Sequence, residues 1–124
     1  MGSADSRLAL ESLTPLHWLG VVMALISAAV HIVLGAGFLP HWMGILFVLA
    51  GGGYLGGLVL LAIDYRRRLL YLVGIPYTLV QIVGWYAVNQ PAGVADLTAA
   101  GAIDKLAQLV LIVVLVVLYR QETN

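Results

Sequence analysis

Three stretches without a single Asp, Glu, Lys or Arg, residues 12–63, 69–95 and 106–119, occupy most of this 124-residue chain. A water-soluble domain carries charge on about a quarter of its residues; here 10% are charged and 62% are hydrophobic. The chain therefore belongs in a bilayer, and the windows are long enough for four crossings with almost nothing left over for a soluble catalytic domain. A formal net charge of zero offers no basic surface to nucleic acid. Because there is no cysteine, disulfides, thiolate metal sites and thiol chemistry are excluded.

Prolines and charges divide the windows into spans at 16–39, 42–63, 69–89 and 98–120, which predicts an all-α, polytopic membrane protein with four transmembrane helices in one antiparallel bundle over residues 1–124. Thr14 can cap the first helix and Pro15 fits its first turn. That span reaches about 36 Å, enough to cross a hydrocarbon core of about 30 Å with some tilt. A signal peptide is the poorer reading: Asp5 and Glu11 precede the run, the run is too long, and Gly37-Phe38-Leu39-Pro40 is a poor cleavage site.

Pro40-His41 makes so short a turn that the first two helices must be antiparallel neighbours. Asp64-Tyr65-Arg66-Arg67-Arg68 closes the second helix in the headgroup layer, where three arginines set topology and attract anionic lipid without a dedicated site. Pro76 predicts a kink or a freed Leu72 carbonyl in the third helix. After the break at Gln90-Pro91-Ala92-Gly93, a cap at Asp96 or Thr98 lengthens the apolar run 106–119 into a full span. This puts Asp104 and Lys105 near the outer headgroups and leaves much of the Val/Leu-rich last helix facing lipid.

Basic residues divide five to one, Arg7, Arg66, Arg67, Arg68 and Arg120 against Lys105, so the positive-inside rule places both termini in the cytoplasm of a multi-pass cell-membrane protein. Aromatic residues agree, with Trp18, Tyr65, Tyr71 and Tyr119 at the inner boundary and Trp42, Trp85 and Tyr86 at the outer one.

Two overlapping small-xxx-small pairs, Gly52 with Gly56 and Gly53 with Gly57, mark helix packing rather than a phosphate loop, since Leu and Val surround them. The first helix offers a matching stripe, Gly20, Ala24, Ala28, His31 and Gly35, so the first two helices are expected to touch along these faces. One glycine face can also serve a homo-oligomer or a larger membrane-protein complex.

Ser27, His31, Tyr54, Tyr77, Thr78 and Gln81 form the expected intramembrane polar network. His31 and Gln81 fall at similar depths, and a hydrogen bond between them would satisfy both. On this reading no carboxylate or lysine lies near mid-membrane, which speaks against a proton-coupled antiporter of the small multidrug type. His17 and His31 stand 14 residues apart, about 21 Å along one helix and within about 40° in direction, a spacing that two stacked b-type haems can use. Bis-histidine ligation would then need a homodimer. No metal site is expected from His17, His31 and His41.

Leu13-Thr14-Pro15-Leu16-His17-Trp18, the run from Asp64 to Pro76, Gln90-Pro91-Ala92-Gly93 and the terminal Val/Leu helix together resemble small four-helix membrane proteins of haloarchaea, over nearly the whole chain. That resemblance implies an archaeal lineage and the four-helix fold, and carries no activity. The sequence thus points to a non-enzymatic integral membrane protein without catalytic residues or cofactor, an accessory or structural part of a membrane complex in contact with lipid. A homodimeric b-type haem protein using His17 and His31, or a small transporter, are the alternatives.

Overall fold

The computed structural model describes residues 9–89, Gly93 and residues 98–122. Among them are four α-helices and no strand: α1 (Pro15–Phe38), α2 (Trp42–Ala62), α3 (Arg67–Asn89) and α4 (Ala99–Gln121). All four are long and apolar enough to cross a membrane. The chain is an all-helical, four-helix membrane-spanning bundle. Arg7, Asp96 and the Gln90-Pro91-Ala92 break lie outside the described residues.

Local chemistry accounts for the helix starts. The Thr14 side chain accepts from His17 N while the Thr14 N–H donates to His17 Nδ1 at 3.0 Å, and Pro15 occupies the first turn. His41 caps α2 by accepting from Met43 N at 3.1 Å, and Thr98 caps α4 by accepting from Gly101 N at 2.9 Å. Helix α3 continues through Pro76.

One end of the bundle is tied together by Arg67, which is only 7% exposed. Its guanidinium donates to Leu61 O (2.8 and 3.1 Å), Ser12 Oγ (2.7 Å) and Ala9 O (3.3 Å), and pairs with Asp64 Oδ1 at 3.2 Å. Leu61 is in the last turn of α2, and Arg67 adds a charged donor to a carbonyl that also accepts from Asp64 N at 3.1 Å. Of the three arginines, this one is structural and not merely topological; Arg66 and Arg68 stay exposed. Arg68 donates to Glu122 O at 3.0 Å and stacks over Tyr119, which brings the end of α4 to the same side.

Around the bundle α1 packs on α2 and on α4, and α4 packs on α3, while α2 and α3 scarcely meet. The closest approach of α1 and α2 differs from the expectation. Gly35 lies against Gly44, where a Cβ on either would stand 2.8 or 2.6 Å from the other's carbonyl oxygen. Gly51 lies under Ala28 and Ile32, and a Cβ there would come within 2.9 Å of Ala28 O. None of the four glycines singled out from the sequence serves this seam: Gly52 and Gly56 face open space, Gly53 receives the Tyr77 ring, and Gly57 lies near Leu70. The small stripe on α1 is buried as a whole, divided between two neighbours, with Gly20 against Val114 of α4 and Gly35 against α2.

Helix α4 has the expected broad outward apolar surface, with Ile103, Val110, Val116 and Val117 among its exposed residues, and packs its other face against the bundle. Ala107, Leu111, Val114 and Leu118 are buried and line its contact with α1 and α3, although Leu106, Leu109 and Val113 face outward. Tyr71 does not join an aromatic belt; it is 1% exposed and packs with Leu61, Val114 and Leu118. Trp18, Tyr65, Trp42 and Tyr86 do present exposed rings.

Candidate functional site

The polar residues of all four helices converge on Gln108, which is fully buried. Its Nε2 lies 3.0 Å from Ser27 Oγ (α1), 3.2 Å from Tyr54 OH (α2) and 2.9 Å from Gln81 Oε1 (α3), so two hydrogens serve three acceptors. Its Oε1 accepts from Lys105 Nζ at 2.8 Å. Lys105 also pairs with Asp104 Oδ2 at 2.8 Å, and Asp104 Oδ1 accepts from Ser27 Oγ at 2.6 Å. Asp104 is 3% exposed.

His31 completes this side of the cluster. Its Nδ1 lies 2.8 Å from Ser27 O, 3.4 Å from Ser27 Oγ and 3.6 Å from Asp104 Oδ1. A carbonyl can only accept, so Nδ1 carries a hydrogen and donates to it. On the far side Tyr54 OH meets Thr78 Oγ1 at 2.9 Å, Tyr77 OH donates to Ala50 O at 2.6 Å, and Gln81 Nε2 donates to Tyr77 O at 3.0 Å. Among the described residues no buried side-chain nitrogen or oxygen lacks a partner. In a lipid environment such complete pairing is what keeps so many polar groups tolerable.

Ser27, His31, Tyr54, Tyr77, Thr78 and Gln81, the residues picked from the sequence, are thus linked, with one correction of wiring. His31 and Gln81 do not bond to each other; Ser27 and Gln108 stand between them. The larger correction concerns Asp104 and Lys105, placed by the sequence reading among the outer headgroups. Ser27 lies about 16 Å along α1 from Phe38, whereas Asp104 lies about 7 Å along α4 from Ala99. Their hydrogen bond therefore sets α4 about 9 Å deeper than a flush arrangement would. A carboxylate does lie inside the bundle, so its expected absence no longer speaks against a proton-coupled antiporter of the small multidrug type.

A signal for this burial was present. Asp104, Gln108, Leu111 and Leu118 recur at helical spacing, so the two polar residues share one face with two buried leucines.

The two candidate haem ligands are otherwise engaged. With Nδ1 accepting from Thr14 N, His17 carries its hydrogen on Nε2 and donates to Tyr71 OH at 3.1 Å. Between His17 and His31, the space beside Gly20 is filled by Val114, and Ala24 and Ala28 are buried against neighbouring helices. His17, Gly20 and Ala24 border a cleft between α2 and α3 but His31 does not, so no single open face joins the two histidines, and with both rings held in hydrogen bonds the residues do not fit a pair of stacked haems. Among the described residues there is no set of three His, Cys, Asp or Glu able to hold a metal ion.

With these features in view, the fold and cluster define a small helical membrane protein whose polar groups meet inside its own bundle. The chain belongs to DUF7475, a family of unknown function, with the match covering residues 3–119. Comparison with curated proteins and with solved structures gives no match.

Proposed function

We propose that this chain is a non-enzymatic integral membrane protein that serves as an accessory or structural component of a membrane complex, with both termini in the cytoplasm. The observation that carries the reading is the closure of the Ser27–Asp104–Lys105–Gln108 cluster upon itself: its ionisable groups are engaged with one another, and Gln108 ties α4 to α1, α2 and α3 through Ser27, Tyr54 and Gln81. The outward face of α2 supports the assembly part. Ile45, Leu49, Gly52, Val59 and Ile63 lie along this face and are all exposed, and Gly52 has nothing against it. A small residue at the centre of such a face lets another membrane helix approach closely.

The chain has no native cysteine, so the test is direct. Gly52→Cys in native membranes, treated with a short bismaleimide, is expected to give a discrete product heavier than the monomer, whereas Val113→Cys on the exposed side of α4 is not. Equal yields at the two positions would contradict the reading.

A small transporter is the second reading, and one observation favours it: an ionisable carboxylate inside a membrane bundle marks ion and proton pathways in many transporters, and Asp104 is such a group.

A further inference from the structure

Where α2 and α3 diverge, a cavity of about 570 Å³ opens toward the bilayer. Glycines make it: Gly53, Gly56 and Gly57 on α2 face Gly74 on α3, and α1 and α4 close the back with Ala24 and Leu111. Both ends are shut. At mid-bundle Tyr77 reaches across from α3 to the Ala50 carbonyl of α2, and at the other end the chain itself turns from α2 into α3.

We infer that this cavity holds one hydrocarbon chain of an anionic membrane lipid, whose headgroup rests beside Arg66. Dimensions carry the first half of the inference. Tyr77 lies about 15 Å along α3 from Arg67, the depth of one leaflet of a hydrocarbon core of about 30 Å. A helix, about 10 Å across, cannot enter a cleft closed at both ends, whereas a single chain can, and an unfilled space lined by apolar groups forfeits dispersion contacts. The lining is almost wholly apolar, with the Tyr71 and Thr78 hydroxyls already bonded to His17 and Tyr54. Charge carries the second half. The α2–α3 turn that closes this end presents exposed Arg66, stacked over Tyr65, and the adjacent Asp64 is paired with Arg67. A phosphate is the complementary headgroup.

Delipidated protein in mild detergent, titrated with phosphatidylglycerol or phosphatidylcholine and read by native mass spectrometry, tests this. Wild type is expected to hold one phosphatidylglycerol per chain and to prefer it to phosphatidylcholine. Gly56→Leu fills the cavity where a Cβ meets nothing within 4 Å, and is expected to weaken that adduct at least tenfold. Val73→Trp, at a mouth residue that is 54% exposed, should do the same and serves if the glycine variant misfolds. Gly84→Leu, also at an open glycine but away from the cavity, should bind as wild type. Arg66→Gln should keep the chain but lose about fivefold of the preference for the anionic lipid. The inference is overturned if both filling variants bind as wild type, if wild type shows no headgroup preference, if Arg66→Gln leaves the preference intact, or if a protein dimer takes the place of the lipid adduct.

Discussion

Ser27, at the midpoint of α1, donates a 2.6 Å hydrogen bond to the Asp104 carboxylate in the second turn of α4. This contact fixes how far α4 sinks beside α1, and it draws the Asp104–Lys105 pair into the bundle. Because both charges are buried, removing one leaves the other without a partner in low dielectric.

Asp104→Asn is therefore expected to destabilise the folded state by about 3–5 kcal/mol, and Lys105→Met by a similar amount. The double variant should lose clearly less than the sum, since neither charge is then stranded. Reversible unfolding of the four proteins in one detergent measures the coupling, and additive losses would show that the pair does not interact.

Gly51 and Gly52 are sequence neighbours with opposite surroundings. A Cβ on Gly51 would stand 2.5 Å from Ile32 Cγ1 and 2.9 Å from Ala28 O, whereas one on Gly52 meets nothing. Gly51→Ala should lower the melting temperature, while Gly52→Ala in the isolated protein should leave it unchanged or raise it through better helix propensity. Matched melting curves would contradict the α1–α2 seam.

Gly53→Leu is expected to be far more damaging than Val113→Leu. The space beside Gly53 is taken by the Tyr77 hydroxyl, which must leave Ala50 O if a side chain grows there. Val113 is exposed on the outer face of α4. Equal stabilities of the two variants would remove Tyr77 as the strap between α2 and α3.

Arg67→Met should cost about 2 kcal/mol, since the Leu61 carbonyl loses a charged donor. Arg66→Gln, next door and exposed, should change stability by less than about 0.5 kcal/mol. Chemical denaturation of both variants checks the contrast.

For orientation, Tyr65→Cys at the arginine-rich end is expected to be shielded from an impermeant maleimide in intact cells, and His41→Cys at the opposite end to be labelled. Charge bias toward the cytoplasm is the physical reason. Labelling of Tyr65→Cys with protection of His41→Cys would invert the topology.

Hydropathy and punctuation made the four helices legible, because an apolar run between prolines and arginines has few other outlets, and the Thr14 cap was readable from residue type. Residue type left the α4 cap open between Asp96 and Thr98, and it is the Thr98 side chain that accepts from Gly101 N. Half of the polar cluster was legible too, since Ser27, His31, Tyr54 and Gln81 interrupt otherwise apolar helices. Depth was not. Asp104 and Lys105 stand near a helix start, and a helix start reads as a membrane surface until a partner such as Ser27 shows that the helix begins lower. Glycine faces were hidden for a related reason: four consecutive residues, Gly51, Gly52, Gly53 and Tyr54, point in four directions, and only the packed neighbours show that Gly51, which was not singled out, meets α1 while Gly52 does not.

Flux across a membrane distinguishes a cluster that holds helices together from one that moves ions. In sealed proteoliposomes with an imposed pH gradient and an internal pH indicator, the wild-type protein is expected to dissipate the gradient no faster than empty vesicles, and His31→Gln and Asp104→Asn should not alter the rate. A wild-type leak that saturates, and that disappears in an Asp104→Asn protein still folded by its circular dichroism, would contradict the structural role of the Ser27–Asp104–Lys105 cluster.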